Sequence, residues 1–158
     1  MKLTTWTAIW IFVIDQISKY VVVQWLDLKN VGSIDVLPPF LNLRMAWNTG
    51  INFGLFSTSR WVLIVIALAI TVAVIVWIAR EKNVGKWGYI SAGFLIGGAL
   101  GNVVDRVVYG AVADFLNMAC CGFDNPFAFN VADIAIFIGA FGLIFFTGNE
   151  TGTEKPKV

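Results

Sequence analysis

Four apolar runs, each close to the length a helix needs to cross a bilayer, constrain this chain more than any other feature. A helical residue rises ~1.5 Å, so roughly 20 mostly apolar residues cover a hydrocarbon core ~30 Å thick. The runs extend from about Leu3 to Val23, Trp61 to Ala79, Trp87 to Val104 and Val131 to Thr147. Only the second is free of ionisable and amide side chains. The pattern predicts an all-α integral membrane protein with four transmembrane helices. Hydrophobic residues make up 58% of the 158 and charged residues 13%. Soluble domains average roughly 45–50% and about 25%, so a soluble fold is excluded. No polar stretch is long enough for a second soluble domain, and 1–158 is read as a single membrane-embedded domain.

The first run begins with basic Lys2, as a signal peptide would. Asp15 and Lys19 stand where a small-residue cleavage site should lie, so the run is read as a retained helix. Lys2, Arg80, Lys82, Lys86, Lys155 and Lys157 flank one side of the predicted bundle, against Lys29, Arg44, Arg60 and Arg106 on the other. The positive-inside rule then places both termini and the 80–86 turn in the cytoplasm, with about 24–60 and 106–130 outside. Phe40 to Trp47 alternates partly like a strand between the turn signals Pro38-Pro39 and Thr49-Gly50, which suggests a small β-rich cradle on the outer surface. Trp47, Trp61, Phe123, Phe127 and Phe129 are candidate headgroup-level anchors. Gly93, Gly97 and Gly101 form successive G-x-x-x-G steps, a face for close helix packing.

Charge in a membrane helix costs ~2.5–3.5 kcal/mol on insertion scales, so each instance calls for an explanation. With the predicted topology, Asp15 and Lys19 fall in the outer half of the first helix. Asn102, Asp105 and Arg106 fall at the outer end of the third, and Asn130 and Asp133 at the outer start of the fourth. Asn48 and Asp114 lie in outer segments close to helix ends. One polar site near the extracytoplasmic face accounts for that common depth; scattered tolerated residues do not.

Asp15 and Lys19 are spaced i,i+4 and can neutralise each other, either as a structural ion pair or within a catalytic site. Asp105 and Arg106 read as structural support ahead of direct chemistry, and Asn130 also fits a helix cap. Asp133, inside an apolar run with no basic neighbour in sequence, and Asp114, between Ala113 and Phe115, are read as functional.

The chain has no His, and its only cysteines are the adjacent pair Cys120 and Cys121, read as unpaired thiols. Serine–histidine and cysteine–histidine hydrolysis are therefore excluded, as is a Cys/His metal centre. Ser18 and Lys19 are helix neighbours and cannot face each other. A net charge of +1 argues against nucleic acid. Two carboxylates remain: close together in a poorly solvated site, they share a proton and can hydrolyse a peptide bond. A proton-coupled transporter relaying through Asp15, Asp105, Asp114 and Asp133 is the rival reading. It predicts ionisable residues at several depths and an internal repeat, neither of which the sequence has. A structural assembly factor gives no reason to gather carboxylates at one level.

Five blocks, in order and spacing, resemble the bacterial lipoprotein signal peptidases (signal peptidase II). They are Asp15-Gln16-Ile17-Ser18-Lys19, Asn48-Thr49-Gly50 with Phe53, and Gly97 through Arg106. Val112-Ala113-Asp114-Phe115 and Phe129-Asn130-Val131-Ala132-Asp133 complete the set. The resemblance implies a four-helix aspartic protease of the bacterial cytoplasmic (inner) membrane that needs no metal or organic cofactor. Its substrates would be prolipoproteins carrying diacylglycerol on a cysteine, cut just before that cysteine, and a monomer among membrane lipids is expected. By motif the catalytic pair falls on Asp114 and Asp133. Asp15, Lys19, Asn48, Asn102, Asp105, Arg106 and Asn130 would shape and support the site. Where the family pattern has small residues before Phe53, this chain has Ile51 and Asn52, a departure that bears on loop packing or substrate fit and not on the pair.

Overall fold

The structure is a computed structural model describing residues 1–50, 59–81, 84–119 and 125–147. Ile51, Asn52, Phe53, Lys82, Cys120, Cys121, Phe123, Lys155 and Lys157, which carried expectations above, lie outside the described residues. The described chain is mostly helical. Helix α1 (Lys2–Lys19) continues through a π-helical stretch (Tyr20–Trp25) and a short α2 (Leu28–Val31) into strands β1 (Ser33–Leu37) and β2 (Leu41–Asn48). Helices α3 (Arg60–Arg80) and α4 (Lys86–Val108) follow, then β3 (Val112–Met118) and α5 (Val131–Thr147).

Three helical segments are long and apolar enough to cross a membrane: Lys2–Trp25, Arg60–Arg80 and Lys86–Val108. The apolar helix α5 has 17 residues, a rise of about 25 Å. A count of four spans therefore goes beyond what helix length alone establishes. The third apolar run, from about Trp87 to Val104, lies within a helix that continues to Val108. Asp105 and Arg106 read as an exit from the membrane, but Asp105 is partnered by Lys19, Gln16 and Ala113 and Arg106 by the Asn102 carbonyl, and the helix continues through them.

Glycines on α4 decide how the bundle closes. A Cβ at Gly93 would meet Thr7 and the Thr4 carbonyl, and one at Gly97 the Ala8 carbonyl at 2.5 Å and Ile11 Cβ at 2.9 Å. One at Gly101 would run into the Asp15 carboxylate. The G-x-x-x-G face is thus the α1–α4 seam. On the other flank a Cβ at Gly98 would meet the Ala132 carbonyl and Ile136, and one at Gly139 of α5 the backbone of Ser91 and Leu95. Helix α4 is therefore clasped from both sides with backbones in near contact. Dispersion rather than water exclusion holds such seams together in lipid. By contrast, α3 packs on α4 and buries only Ile64, Thr71 and Ile78.

The predicted β-rich element is a three-stranded antiparallel sheet in the order β1-β2-β3. Alternation pointed to β2 alone. Strand β3 gave no such signal, because Val112 through Phe115 are all buried. Gly110, with φ +81°, ends α4 in a left-handed turn that suits glycine and sends the chain into β3. Register then places Ala46 opposite Asp114 and Asn48 opposite Val112. Val22, Leu28, Leu43 and Phe115 form the core that seats the sheet on the end of α1.

Replacing Gly97 with Ala is expected to lower the thermal midpoint of the detergent-solubilised protein, equivalent to about 1–3 kcal/mol of overpacking. Gly85→Ser, at the α4 N-cap with open space around it, should leave the midpoint unchanged or higher.

Candidate active site

The polar residues singled out in the sequence meet where α1, α4, β2, β3 and the start of α5 converge. Lys19 lies at the centre, buried, with its Nζ 2.8 Å from Asp15 Oδ2 and 2.8 Å from Asp105 Oδ2. A third bond runs from Nζ to Asn102 Oδ1 at 3.2 Å. All three ammonium donors are thereby used, which makes a buried lysine tolerable. The Gln16 amide joins the cluster, donating to Asp15 at 3.1 Å and to Asp105 at 3.3 Å. Gln16 was not assigned a role from sequence, although it adjoins Asp15 and an amide in an apolar run is a signal of the same kind.

Each carboxylate of this cluster also accepts a backbone N–H. Asp15 Oδ1 takes that of Ala132 at 2.9 Å, and Asp105 Oδ2 that of Ala113 at 3.2 Å. Ala132 and Ala113 immediately precede Asp133 and Asp114. One ion cluster thus fixes the backbone entering both aspartates, although one sits on α5 and the other on β3.

Asp133 occupies the third position of α5 in a reciprocal cap. Asn130 Oδ1 accepts from the Asp133 N–H at 3.0 Å, and Asp133 Oδ2 accepts from the Asn130 N–H at 3.2 Å. The helix-cap reading of Asn130 is correct, and the residue has a second task as well. Its Nδ2 donates to Asp114 Oδ1 at 2.6 Å and to Asn102 Oδ1 at 3.3 Å. Asn102 Nδ2 in turn donates to Asp133 Oδ1 at 2.8 Å. Asn48 reaches across the sheet to donate to Asp114 Oδ2 at 3.0 Å. Asn130 is brought to β3 because Phe129 pairs with Leu116, the Phe129 carbonyl accepting from Phe115 and Leu116 at 3.1 and 2.8 Å.

Asp114 is 2% exposed and lies on β3, outside the helical spans. Burial, followed by the charge of Asp133, raises its pKa from 3.8 to about 6 against the opposing bonds from Asn48 and Asn130. Arg106 Nη1 donates to the Asn102 carbonyl at 3.3 Å. It borders a groove of about 400 Å³ between α3 and α5, floored by Leu95, Ala99 and Asn102 of α4. That groove is apolar along its length and polar where it meets Asn102 and Arg106. All nine residues proposed from sequence are therefore in or against one site. Among the described residues, no three His, Cys, Asp or Glu side chains are grouped to hold a metal ion.

The arrangement ties two carboxylates to one asparagine, beside an apolar groove that Asn102 and Arg106 also line. The family model described as signal peptidase II matches residues 7–148. The chain is 39% identical over 140 residues to the lipoprotein signal peptidase of Rhodopseudomonas palustris, covering 84% of each chain. It is 39% identical over 156 residues to that of Alteromonas mediterranea, covering 96% of this chain and 83% of the relative. A bacterial membrane enzyme structure determined in meso at 2.3 Å superposes with a TM-score of 0.82 at 28% identity, covering 100% of this chain and 94% of the other. With two of its aspartates joined through Asn130 where apolar helices meet a sheet, the chain is an integral membrane protein that belongs to the signal peptidase II family.

Proposed function

We propose that this protein is a membrane aspartic endopeptidase that removes signal peptides from diacylglyceryl-modified prolipoproteins, cutting before the lipid-bearing cysteine. The observation that carries the reading is the joining of Asp114 and Asp133 through Asn130, with Asn102, which bonds to Asp133, lining an apolar groove. The match to relatives named lipoprotein signal peptidase supports the substrate class. The proposed setting is one membrane-embedded domain of four spans, acting as a monomer among lipids of the bacterial inner membrane. Both termini face the cytoplasm, with the sheet and the aspartate pair near the outer face.

In this reading four carboxylates (Asp15, Asp105, Asp114 and Asp133) share the site with two cations, Lys19 and Arg106. Full ionisation is unfavourable, and the shared proton rests on Asp114. Asp133 takes a proton from water as the water oxygen bonds to the scissile carbonyl carbon. Asp114 donates a hydrogen bond to the carbonyl oxygen, stabilising the developing oxyanion. Collapse breaks the C–N bond, and the leaving nitrogen takes the proton from Asp133. The released signal peptide ends in a carboxylate, while the lipidated cysteine keeps its new amine. The groove beside α3 holds the apolar part of the substrate, and Arg106 at its edge orients the peptide.

Asp114→Asn and Asp133→Asn should each reduce cleavage of a diacylglyceryl-modified prolipoprotein to background, read by mass spectrometry, with insertion and thermal midpoint near wild type. A cleaving Asp133→Asn protein would overturn the assignment.

The acid form of Asp114 is full below pH about 6 and is lost as pH rises through that value. Activity should therefore fall on the alkaline side. Removing the Asn48 donor, which holds the pKa down, should move that limb to higher pH in Asn48→Ala, as a kcat/KM profile against pH would register.

Lys19→Met strands two buried carboxylates and should cost about 3–5 kcal/mol of stability. Thermal unfolding checks this, and a variant as stable as wild type would remove Lys19 from its central place.

A further inference from the structure

One amide of the ion cluster bonds to neither Asp114 nor Asp133. Gln16 follows Asp15 on α1 and is spaced i,i+3 from Lys19, so the two side chains share a face of the helix. Its Nε2 donates to Asp15 Oδ2 at 3.1 Å and to Asp105 Oδ1 at 3.3 Å, with a longer contact to the Gly101 carbonyl at 3.5 Å. The amide thus ties α1 to α4 beside the Lys19 ammonium. Two carboxylates and one ammonium leave a surplus negative charge, and an amide brings donors to it without adding charge.

The two carboxylates differ in what holds them. Asp15 is fixed at both oxygens without Gln16, since Oδ1 accepts from the Ala132 N–H and Oδ2 from Lys19. Asp105 is not. Its bonds from Lys19 and from the Ala113 N–H both fall on Oδ2, at 2.8 and 3.2 Å, and among the described residues Gln16 alone donates to Oδ1. The torsion that turns an aspartate carboxylate is broad, so a carboxylate held at one oxygen swings about it. Gln16 supplies the second point. Together with Lys19, Gln24, Trp47, Asp105 and Tyr109 it lines a polar cavity of about 260 Å³, room for several waters. Water can donate to Oδ1, but it is not anchored to a helix and does not fix the carboxylate plane. The groove beside α3 is separate, walled by α3, α4 and α5, so Gln16 acts at a distance from whatever fills it.

We infer that Gln16 is a positioning residue for Asp114, acting through Asp105. By fixing the plane of the Asp105 carboxylate it aims Oδ2 at the Ala113 N–H, and Ala113 carries Asp114 on β3. The effect is one-sided. Ala132, ahead of Asp133, is held by Asp15, which has both oxygens bonded without this amide. The consequence for rate rests on the peptidase reading; the hold on Ala113 does not.

The test compares wild type with Gln16→Met, which keeps the length of the side chain without its donor, and with Gln16→Ala, which admits water. Gln24→Met is the control: it stands on the same cavity wall, and its amide oxygen accepts from Lys29 Nζ instead. Amide exchange is followed by NMR on the full chain, labelled with 15N-alanine, in detergent. In parallel, kcat and KM are measured on a diacylglyceryl-modified prolipoprotein. In both Gln16 variants the Ala113 N–H should exchange about tenfold faster, the loss of one hydrogen bond to a charged group, while that of Ala132 exchanges as in wild type. The same loss should lower kcat about tenfold with KM unchanged. Gln24→Met should match wild type in every readout. Equal acceleration at Ala113 and Ala132, as general loosening would give, would overturn the inference. So would unchanged exchange at Ala113, or kcat retained by both Gln16 variants. A wild-type protein that shows the exchange contrast with its variants but cleaves nothing would count against the peptidase reading alone.

Discussion

A lysine ammonium on a membrane-spanning helix persists only where anions and hydrogen-bond acceptors replace the water it has lost. Lys19 has both, in Asp15, Asp105 and Asn102. Those two carboxylates hold the main chain ahead of Asp133 and Asp114. The spacing between the aspartates therefore depends on this ion cluster together with the pairing of Phe129 to β3. Glycine at 101 is part of the same arrangement, because any Cβ there would displace Asp15.

Around that centre, asparagines serve where charged residues would upset the balance. An amide presents a donor and an acceptor in one plane and carries no net charge. Asn130 accepts from the Asp133 N–H while donating to Asp114, and Asn102 accepts from Lys19 while donating to Asp133. Each thus links the ion cluster or the helix cap to an aspartate without adding charge beside four carboxylates. Residual burial keeps the pKa of Asp114 high at about 6 even with two amide donors on it.

Much of this was legible in the sequence, for a reason specific to membranes: a polar residue in an apolar run stands out against its neighbours. Asp15, Lys19, Asn102, Asp105 and Asp133 could be found on that ground, and their common depth pointed to one site. The glycine face of α4 was legible from its spacing. Other features had no side-chain signature. The N–H groups of Ala113 and Ala132 belong to the backbone, so nothing in two alanines announces their part in the site. Strand β3 is buried on both faces and lacks alternation. Helix α4 continues to Val108, past the apolar run that marks it in the sequence, and carries Asp105 and Arg106 into the site. Helix α5, at 17 residues, shows that an apolar run does not by itself fix a span.

The peripheral place of α3 has a further consequence. In water, pulling this helix from α4 would expose apolar area at about 25 cal/mol per Å². In lipid, acyl chains cover the same surface, and only side-chain packing is given up. Between Arg60 and Arg80 the helix carries no ionisable group, and none of the site's hydrogen bonds reaches it. The bilayer thus makes the α3 wall of the groove beside Asn102 and Arg106 a replaceable one. Width can be gained on that side while the aspartates, tied to α1 and α4, keep their geometry.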